Sequence, residues 1–330
     1  MRRVLLIIGV LVIAGLTGTG GGWFWLKSAY EQPGPLKRDT VLIIPRGAGA
    51  GAIAGNLLSA GIIDDPMVWK FGRRLFASTA PLRAGEFRFP ARVSVAAAVG
   101  ILQGGKTVVR KVTVAEGLSN AEVATVLSRT PGLTGLPGPL PPEGRLLPET
   151  YHFSFGDTRA ALVGRMKGAM DALLADAWAK RAPGLPIKTP AEALVLASIV
   201  EKETGVKAER ARVAAVFLNR LAKGMRLQSD PTVIYGLTLG AGALGRPISK
   251  ADLKSQTPYN TYVIRGLPPT PIANPGRAAI LAVLNPAETT DLYFVADGSG
   301  GHAFAKTLKE HLRNVAKWRK IERARRKAAP

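Results

Sequence analysis

Thr189-Pro190-Ala191-Glu192-Ala193-Leu194-Val195-Leu196-Ala197-Ser198-Ile199-Val200-Glu201-Lys202-Glu203-Thr204 is the stretch that decides how this chain is read. Thr189 is a natural N-cap, Pro190 suits the first helical position, and Glu192 at N3 completes a capping box, so a helix starts here. At ~100° per residue, Val195, Leu196, Ile199 and Val200 share one apolar stripe. Glu203 falls near the centre of that stripe and Glu201 points to the opposite side. A carboxylate on a buried stripe costs free energy unless it is neutral or paired. Desolvation raises its pKa, as a general acid working near neutral pH requires. The helix geometry alone leaves a second reading open, in which Glu203 is paired in the core with Arg210, Arg212 or Arg220, or the helix frays before reaching it.

Downstream, a second helix is expected from Lys207 to Lys223, stopped by Gly224, with Val213, Val216, Phe217 and Leu221 on one face and Asn219 and Arg220 beside it. Gln228, Ser229, Asp230 and Pro231 follow, then Tyr235, and further on Tyr259, Asn260, Thr261 and Tyr262. Four of the six Tyr lie between Tyr235 and Tyr293. That density suits sugar stacking and hydroxyl recognition, and equally a core with polar tips. Upstream, Val41 to Ile44 reads as a strand, and Ile53 to Ala60 and Val68 to Phe76 as helices. Val108 to Val114 reads as another strand, and Ser119 with Glu122 matches a capping box. The chain is thus α+β. Gly47, Gly49 and Ala52, with Asp64 beyond them, mimic a dinucleotide fingerprint, but Pro45 intervenes and no clear parallel strand follows, so a turn and a helix are expected there.

The 330 residues are enough for two domains, and the absence of Cys excludes disulfides, thiol nucleophiles and Cys-ligated metal. Only His152, His302 and His311 are present, none at metal-ligand spacing, and no motif calls for a cofactor. Net charge is +22, with ten Lys or Arg against two Glu from Lys306 onward. That excess favours a polyanionic neighbour, yet the tail lacks the interleaved aromatics of a single-strand binder, and no nucleic-acid partner is expected. Val4 to Gly22 holds 19 residues without a charge, preceded by Arg2 and Arg3 and followed by Trp23 and Trp25. This predicts a single transmembrane helix in the cytoplasmic membrane, N-terminus inside and the remainder outside, with a cleaved signal peptide, its site imitated by the small residues Thr17 to Gly22, as the alternative. The expected organisation is residues 1–27 for the cytoplasmic end and anchor, 28–40 for a linker, 41–106 for a small module, 107–156 for a connecting segment, 157–316 for the main domain and 317–330 for a basic tail. The tail suits contact with anionic membrane lipid.

The segments Ala197 to Thr204, Val216 to Leu221, Met225 to Gly236, Tyr259 to Tyr262, Gly266 to Pro269 and Tyr293 to Gly298 resemble the endolytic murein transglycosylases of the MltG/YceG type. Upstream the likeness extends to Ile44 to Gly47, Ala84 to Phe89, Glu116-Gly117 and Pro148 to Tyr151, and so covers nearly the whole chain. Arg145 and Leu147 depart from the aromatics usual in their loop. The resemblance implies that module 41–106 is LysM-like, that Glu203 is the catalytic acid, and that Asn219, Gln228, Ser229, Asp230, Tyr235, Tyr259, Asn260, Thr261 and Tyr262 line a glycan cleft. It also implies cleavage of the bond between N-acetylmuramic acid and N-acetylglucosamine without water, giving 1,6-anhydro ends. Glycan strands are the implied substrate, and a peptidoglycan synthase with elongation or division proteins the implied partners. A two-carboxylate hydrolase, with Asp230 as second group, and a non-catalytic wall-binding scaffold are the alternatives.

Overall fold

A computed structural model describes residues 19–328, which divide into two compact units, residues 19–110 with 152–157 and residues 111–151 with 158–328. The chain is mixed α and β, mostly helical, with three two-stranded sheets. No helix among the described residues is long and apolar enough to cross a membrane, and most of the stretch Val4 to Gly22 lies outside them.

The first unit opens with helix α1 (19–31). Strand β1 (Thr40–Ile44), helices α2 (Ala50–Ser59) and α3 (Pro66–Phe76), strand β2 (Gly85–Phe89) and helix α4 (Val95–Gly104) follow. β1 and β2 pair antiparallel, with Leu42 opposite Phe87 and Thr40 opposite Phe89. Strand alternation turns Phe87 and Phe89 into a core with Leu57, Ile62, Ile63, Trp69 and Leu102 while Arg88 stays exposed. The antiparallel return removes the dinucleotide alternative, which needs a parallel strand after the glycines. Gly47, at φ +79°, instead makes the turn out of β1, and Gly49 is the N-cap of α2. Asp65 caps α3 by accepting from the Met67 N–H at 2.7 Å, and Pro66 starts the helix. Glu86 is buried on β2 and bound by both Nε and Nη2 of Arg110, at 2.6 and 2.9 Å.

Strands β3 (Val109–Thr113) and β4 (Thr150–Ser154) form the second sheet. The second unit contains α5 (Asn120–Ser128), α6 (Arg159–Ala179), α7 (Pro190–Glu203), α8 (Arg210–Ala222), α9 (Asp230–Thr238), α10 (Arg277–Leu284), β5 (Tyr293–Ala296), β6 (His302–Ala305) and α11 (Leu308–Ala328). α5 carries the expected Ser119 and Glu122 capping box. α7 is its axis, contacted by α6, α8, α9 and α10. Every residue from Ala193 to Val200 is buried, so the helix is enclosed on all sides instead of presenting one stripe. Thr189 accepts from the Glu192 N–H as expected, but the Glu192 carboxylate reaches the Lys188 N–H one residue further back. The basic stretch from residue 317 continues α11 as helix to Ala328.

In the first unit, Gly72 of α3 faces the buried Tyr30 of α1 so closely that a Cβ would overlap the ring. Gly72→Ala is therefore expected to lower stability by about 1–3 kcal/mol despite the better helix propensity of Ala. Denaturant unfolding followed by the fluorescence of this unit checks it, and an unchanged or raised midpoint would show that Tyr30 moves aside freely.

Candidate active site

α7 ends at Glu203, with Thr204 as an extended C-cap, so the two carboxylates of Glu201-Lys202-Glu203 sit at the end of a buried helix. They have different surroundings. The Glu201 side chain is only 6% exposed, faces the Arg210 guanidinium at 3.5 Å and accepts the Gly276 N–H at 2.9 Å. It therefore does not point away into solvent, as the one-stripe reading required. The core that surrounds α7 covers that side too, and Glu201, not Glu203, is the ion-paired carboxylate.

Glu203 has no cation in contact. Its Oε1 accepts the Ser229 hydroxyl at 2.5 Å. Burial pushes its pKa up to about 7, with a further upward push from the charge of Asp230. The Ser229 hydrogen bond and the charges of His302 and Arg220 pull the other way. A position at a helix C-terminus, where the macrodipole is negative, disfavours the carboxylate in the same sense as burial. Glu203 thus holds a proton near neutral pH and can release it.

This carboxyl opens on a cleft of about 450 Å³ lined by Arg220, Gln228, Asp230, Tyr262, Phe294 and His311, with Leu227, Val295 and Val315. Asp230, the first residue of α9, accepts the Tyr262 hydroxyl at 2.6 Å. Burial and Asp230 raise the Tyr262 pKa, which keeps its phenol a donor. Arg220 donates from Nε to Leu292 O at 2.6 Å and from Nη1 to Leu227 O at 2.7 Å, tying β5 to the loop that carries Gln228 and Ser229. His311 stacks on Tyr293, and burial with the charge of Arg220 lowers its pKa, which favours the neutral imidazole.

Of the nine residues expected to line a glycan cleft, Gln228, Asp230 and Tyr262 line it, and Ser229 touches the carboxyl itself. Thr261 is fully buried behind them, accepting the Ser229 N–H at 2.9 Å and sharing a hydrogen bond with Thr232. Asn260 is also fully buried, donating to Ser255 O at 2.8 Å and accepting the Tyr262 N–H at 3.0 Å. Asn219 donates to Thr289 O and Asp291 O in the segment before β5. Tyr235 packs edge-on against Tyr259, whose hydroxyl meets Thr270, and Tyr235 lines a neighbouring cleft of about 430 Å³ with Lys202 and the glycines from 240 to 245. Asn219, Tyr259, Asn260 and Thr261 thus brace the walls and do not line the Glu203 cleft. Sequence reasoning missed Phe294, Val295, His311 and Val315, which arrive from β5 and α11; the Tyr293 to Gly298 segment was the only available signal.

A cleft with one carboxyl poised to give and regain a proton, walled by hydroxyls and aromatic edges, is the kind of site that acts on polyhydroxylated substrates by acid and base catalysis. The chain belongs to the YceG-like family, whose pattern matches residues 42–317. An endolytic murein transglycosylase of Bacillus subtilis is 29% identical over 329 residues, covering 88% of each chain. One of Streptococcus pneumoniae is 28% identical over 363 residues, covering 94% of this chain, which spans 64% of the length of that relative. A crystal structure of a YceG-like protein of Listeria monocytogenes is similar at a TM-score of 0.50 and 28% identity, over 84% of this chain and 99% of that one.

Replacing Glu201 by Gln strands the Arg210 charge, so Glu201→Gln is expected to lower stability by about 3 kcal/mol while kcat per folded molecule changes little. Ser229→Ala removes a hydrogen bond that favours the charged form of Glu203, and the acidic group seen in a kcat/KM pH profile should move upward from about 7. A profile that moves down, or not at all, would show that the hydroxyl does not act on this carboxyl.

Proposed function

We propose that this chain is an endolytic murein transglycosylase that cuts the bond between N-acetylmuramic acid and N-acetylglucosamine without water. The observation that carries the reading is the Glu203 carboxyl, free of any ion pair and with its pKa raised to about 7, at the cleft. Protonated Glu203 gives its proton to the glycosidic oxygen as the bond to C1 breaks. The carboxylate so formed then takes the proton of the muramoyl C6 hydroxyl, whose oxygen closes on C1 to give the 1,6-anhydro ring. One carboxyl serves both steps and returns to its starting form. Ser229 steadies the charged form between the steps, and Tyr262 and Gln228 offer hydrogen bonds to sugar hydroxyls.

Hydrolysis by two carboxylates is the second reading, because Asp230 lines the same cleft. Asp230 is held by the Tyr262 phenol, which suits a positioning role better than activation of water. Around the reaction, the apolar stretch from Val4 to Leu26 anchors the chain in the cytoplasmic membrane with its catalytic unit outside, where nascent glycan emerges. The β1-α2-α3-β2 order of the first unit supports the LysM-like reading. A peptidoglycan synthase and elongation or division proteins are the partners this placement would require, on family analogy.

Mass spectrometry of fragments released from purified peptidoglycan tests the reaction, since anhydro and reducing ends differ by one water; reducing ends would establish hydrolysis. Glu203→Gln is expected to reduce turnover by about 10² to 10⁴-fold. The same variant reports on linkage. The native carboxyl keeps its proton up to about pH 7 whereas the unfolded one loses it near 4.5, so the native state binds more protons in that window and its stability falls as pH rises through it. Glu203→Gln should remove that fall and be more stable than wild type at pH 8, by on the order of 3 kcal/mol. A variant that retains more than about a tenth of wild-type turnover would sink the assignment.

A further inference from the structure

The first unit carries an apolar surface that the catalytic reading leaves unused. On α3, Met67, Phe71 and Leu75 are 56, 41 and 50% exposed, although they are large and apolar. At ~100° per residue they form a stripe of roughly 80°, and Lys70, Arg73 and Arg74 fill the neighbouring ~100°. The opposite side, with Val68, Trp69 and Gly72, is buried against the core of the unit. A helix that is apolar toward its own core and again toward solvent, with basic residues along one flank and no acidic residue in its length, has the make-up of an element lying in a bilayer interface.

Its position in the chain indicates which surface covers it. α1 continues directly from the uncharged stretch that begins at Val4, and it presents Trp23, Phe24 and Trp25 at 51, 77 and 61% exposure. Trp and Tyr gather at the level of the lipid headgroups. The Trp23 ring meets Phe76, at the end of α3, edge-on at 4.8 Å, and Tyr30 packs on the same Phe76 at 5.6 Å. Gly72 lets Tyr30 approach the α3 backbone. α3 is therefore fastened to the aromatic end of the stretch that the proposed function places in the membrane. Beside α3, a groove of about 770 Å³ lined by Met67, Lys70, Arg73 and Arg74, and by Ala54 and Gly51 of α2, extends the same mixture of apolar and basic surface.

We propose that α3 docks on the outer leaflet of the membrane in which the chain is anchored, with Met67, Phe71 and Leu75 among the upper acyl chains and Lys70 and Arg74 at anionic phospholipid headgroups. The inference rests on the anchor reading. The long stems of Lys70 and Arg74 reach up to the phosphates while the apolar stripe sinks, the usual behaviour of such side chains at an interface. Asp65, the nearest carboxylate at the start of α3, is engaged on the N–H groups of Met67 and Val68. The first unit is then a membrane-bound foot, held at two points, and the docking fixes its orientation on the bilayer.

The chain has no native cysteine, so Phe71→Cys and Val41→Cys can each carry one environment-sensitive fluorophore. Val41 lies on the outward side of β1, 42% exposed, and serves as the reference. The full-length variants are reconstituted in vesicles of phosphatidylglycerol and phosphatidylethanolamine, floated on a density gradient, and probed with doxyl-labelled lipid. The expected result is flotation of both, with strong doxyl quenching at position 71 and little at 41. Adding Lys70→Glu and Arg74→Glu, or replacing the anionic lipid by phosphatidylcholine, should weaken the contact by about fivefold per charge lost. Flotation with equal quenching at 71 and 41 overturns the docking and leaves the anchor standing. Failure to float overturns the anchor, and the docking with it. A label at 71 that is shielded from water but not quenched by lipid identifies a protein contact on this face and overturns the lipid assignment, and quenching that ignores the charge changes overturns the role of Lys70 and Arg74.

Discussion

The burial of the middle of α7 is the constraint on which the second unit depends. Eight consecutive buried residues leave that part of the helix no wet side, so the carboxylates at its end must find partners inside the protein. Two carboxylates arrive there one residue apart and are treated differently. Glu201 receives a guanidinium and a backbone N–H. Glu203 receives a single hydroxyl and an opening to solvent. Burial raises both pKa values, but only Glu203 combines the shift with access, and access separates a working acid from a structural one.

Around Glu203 the walls depend on a second layer of polar atoms. Ser229 is held by Thr261, and Thr261 is hydrogen-bonded to Thr232 of α9. Asn260 gathers the backbone carbonyls of the 252–255 turn and the N–H of Tyr262. Arg220 joins the carbonyls of Leu227 and Leu292 and so links segments 65 residues apart in sequence. Buried networks of this kind hold one geometry because each unmade hydrogen bond costs about 1–3 kcal/mol. Such stiffness holds the Glu203 carboxyl in one place relative to the cleft walls.

The first unit solves a different problem. With about 100 described residues it has one small core, built on Trp69, Phe87 and Phe89, and its surface exposes Met67, Phe71 and Leu75 along α3. The close approach at Gly72 and the ring contact between Trp23 and Phe76 tie that surface to α1.

Local signals in the sequence determined the mixed α and β class, the N-cap and start of α7, the Ser119 cap of α5 and the arrival of a carboxylate at the end of a buried helix. Each depends on residues a few positions apart, whose spacing the chain carries regardless of its fold. The site's remaining character was decided by contacts between residues distant in sequence. Periodicity reports where a side chain points along its own helix and nothing about what packs there, so the enclosure of Glu201 was invisible until α8 and the segment before α10 closed over it. Asn219, Tyr259, Asn260 and Thr261 carry polar groups that suit sugar binding and bracing equally, and only tertiary position turned them to bracing. His311 gave no local sign of a role, because the cleft wall formed by α11 exists only once the chain has folded back across more than a hundred residues to reach Glu203.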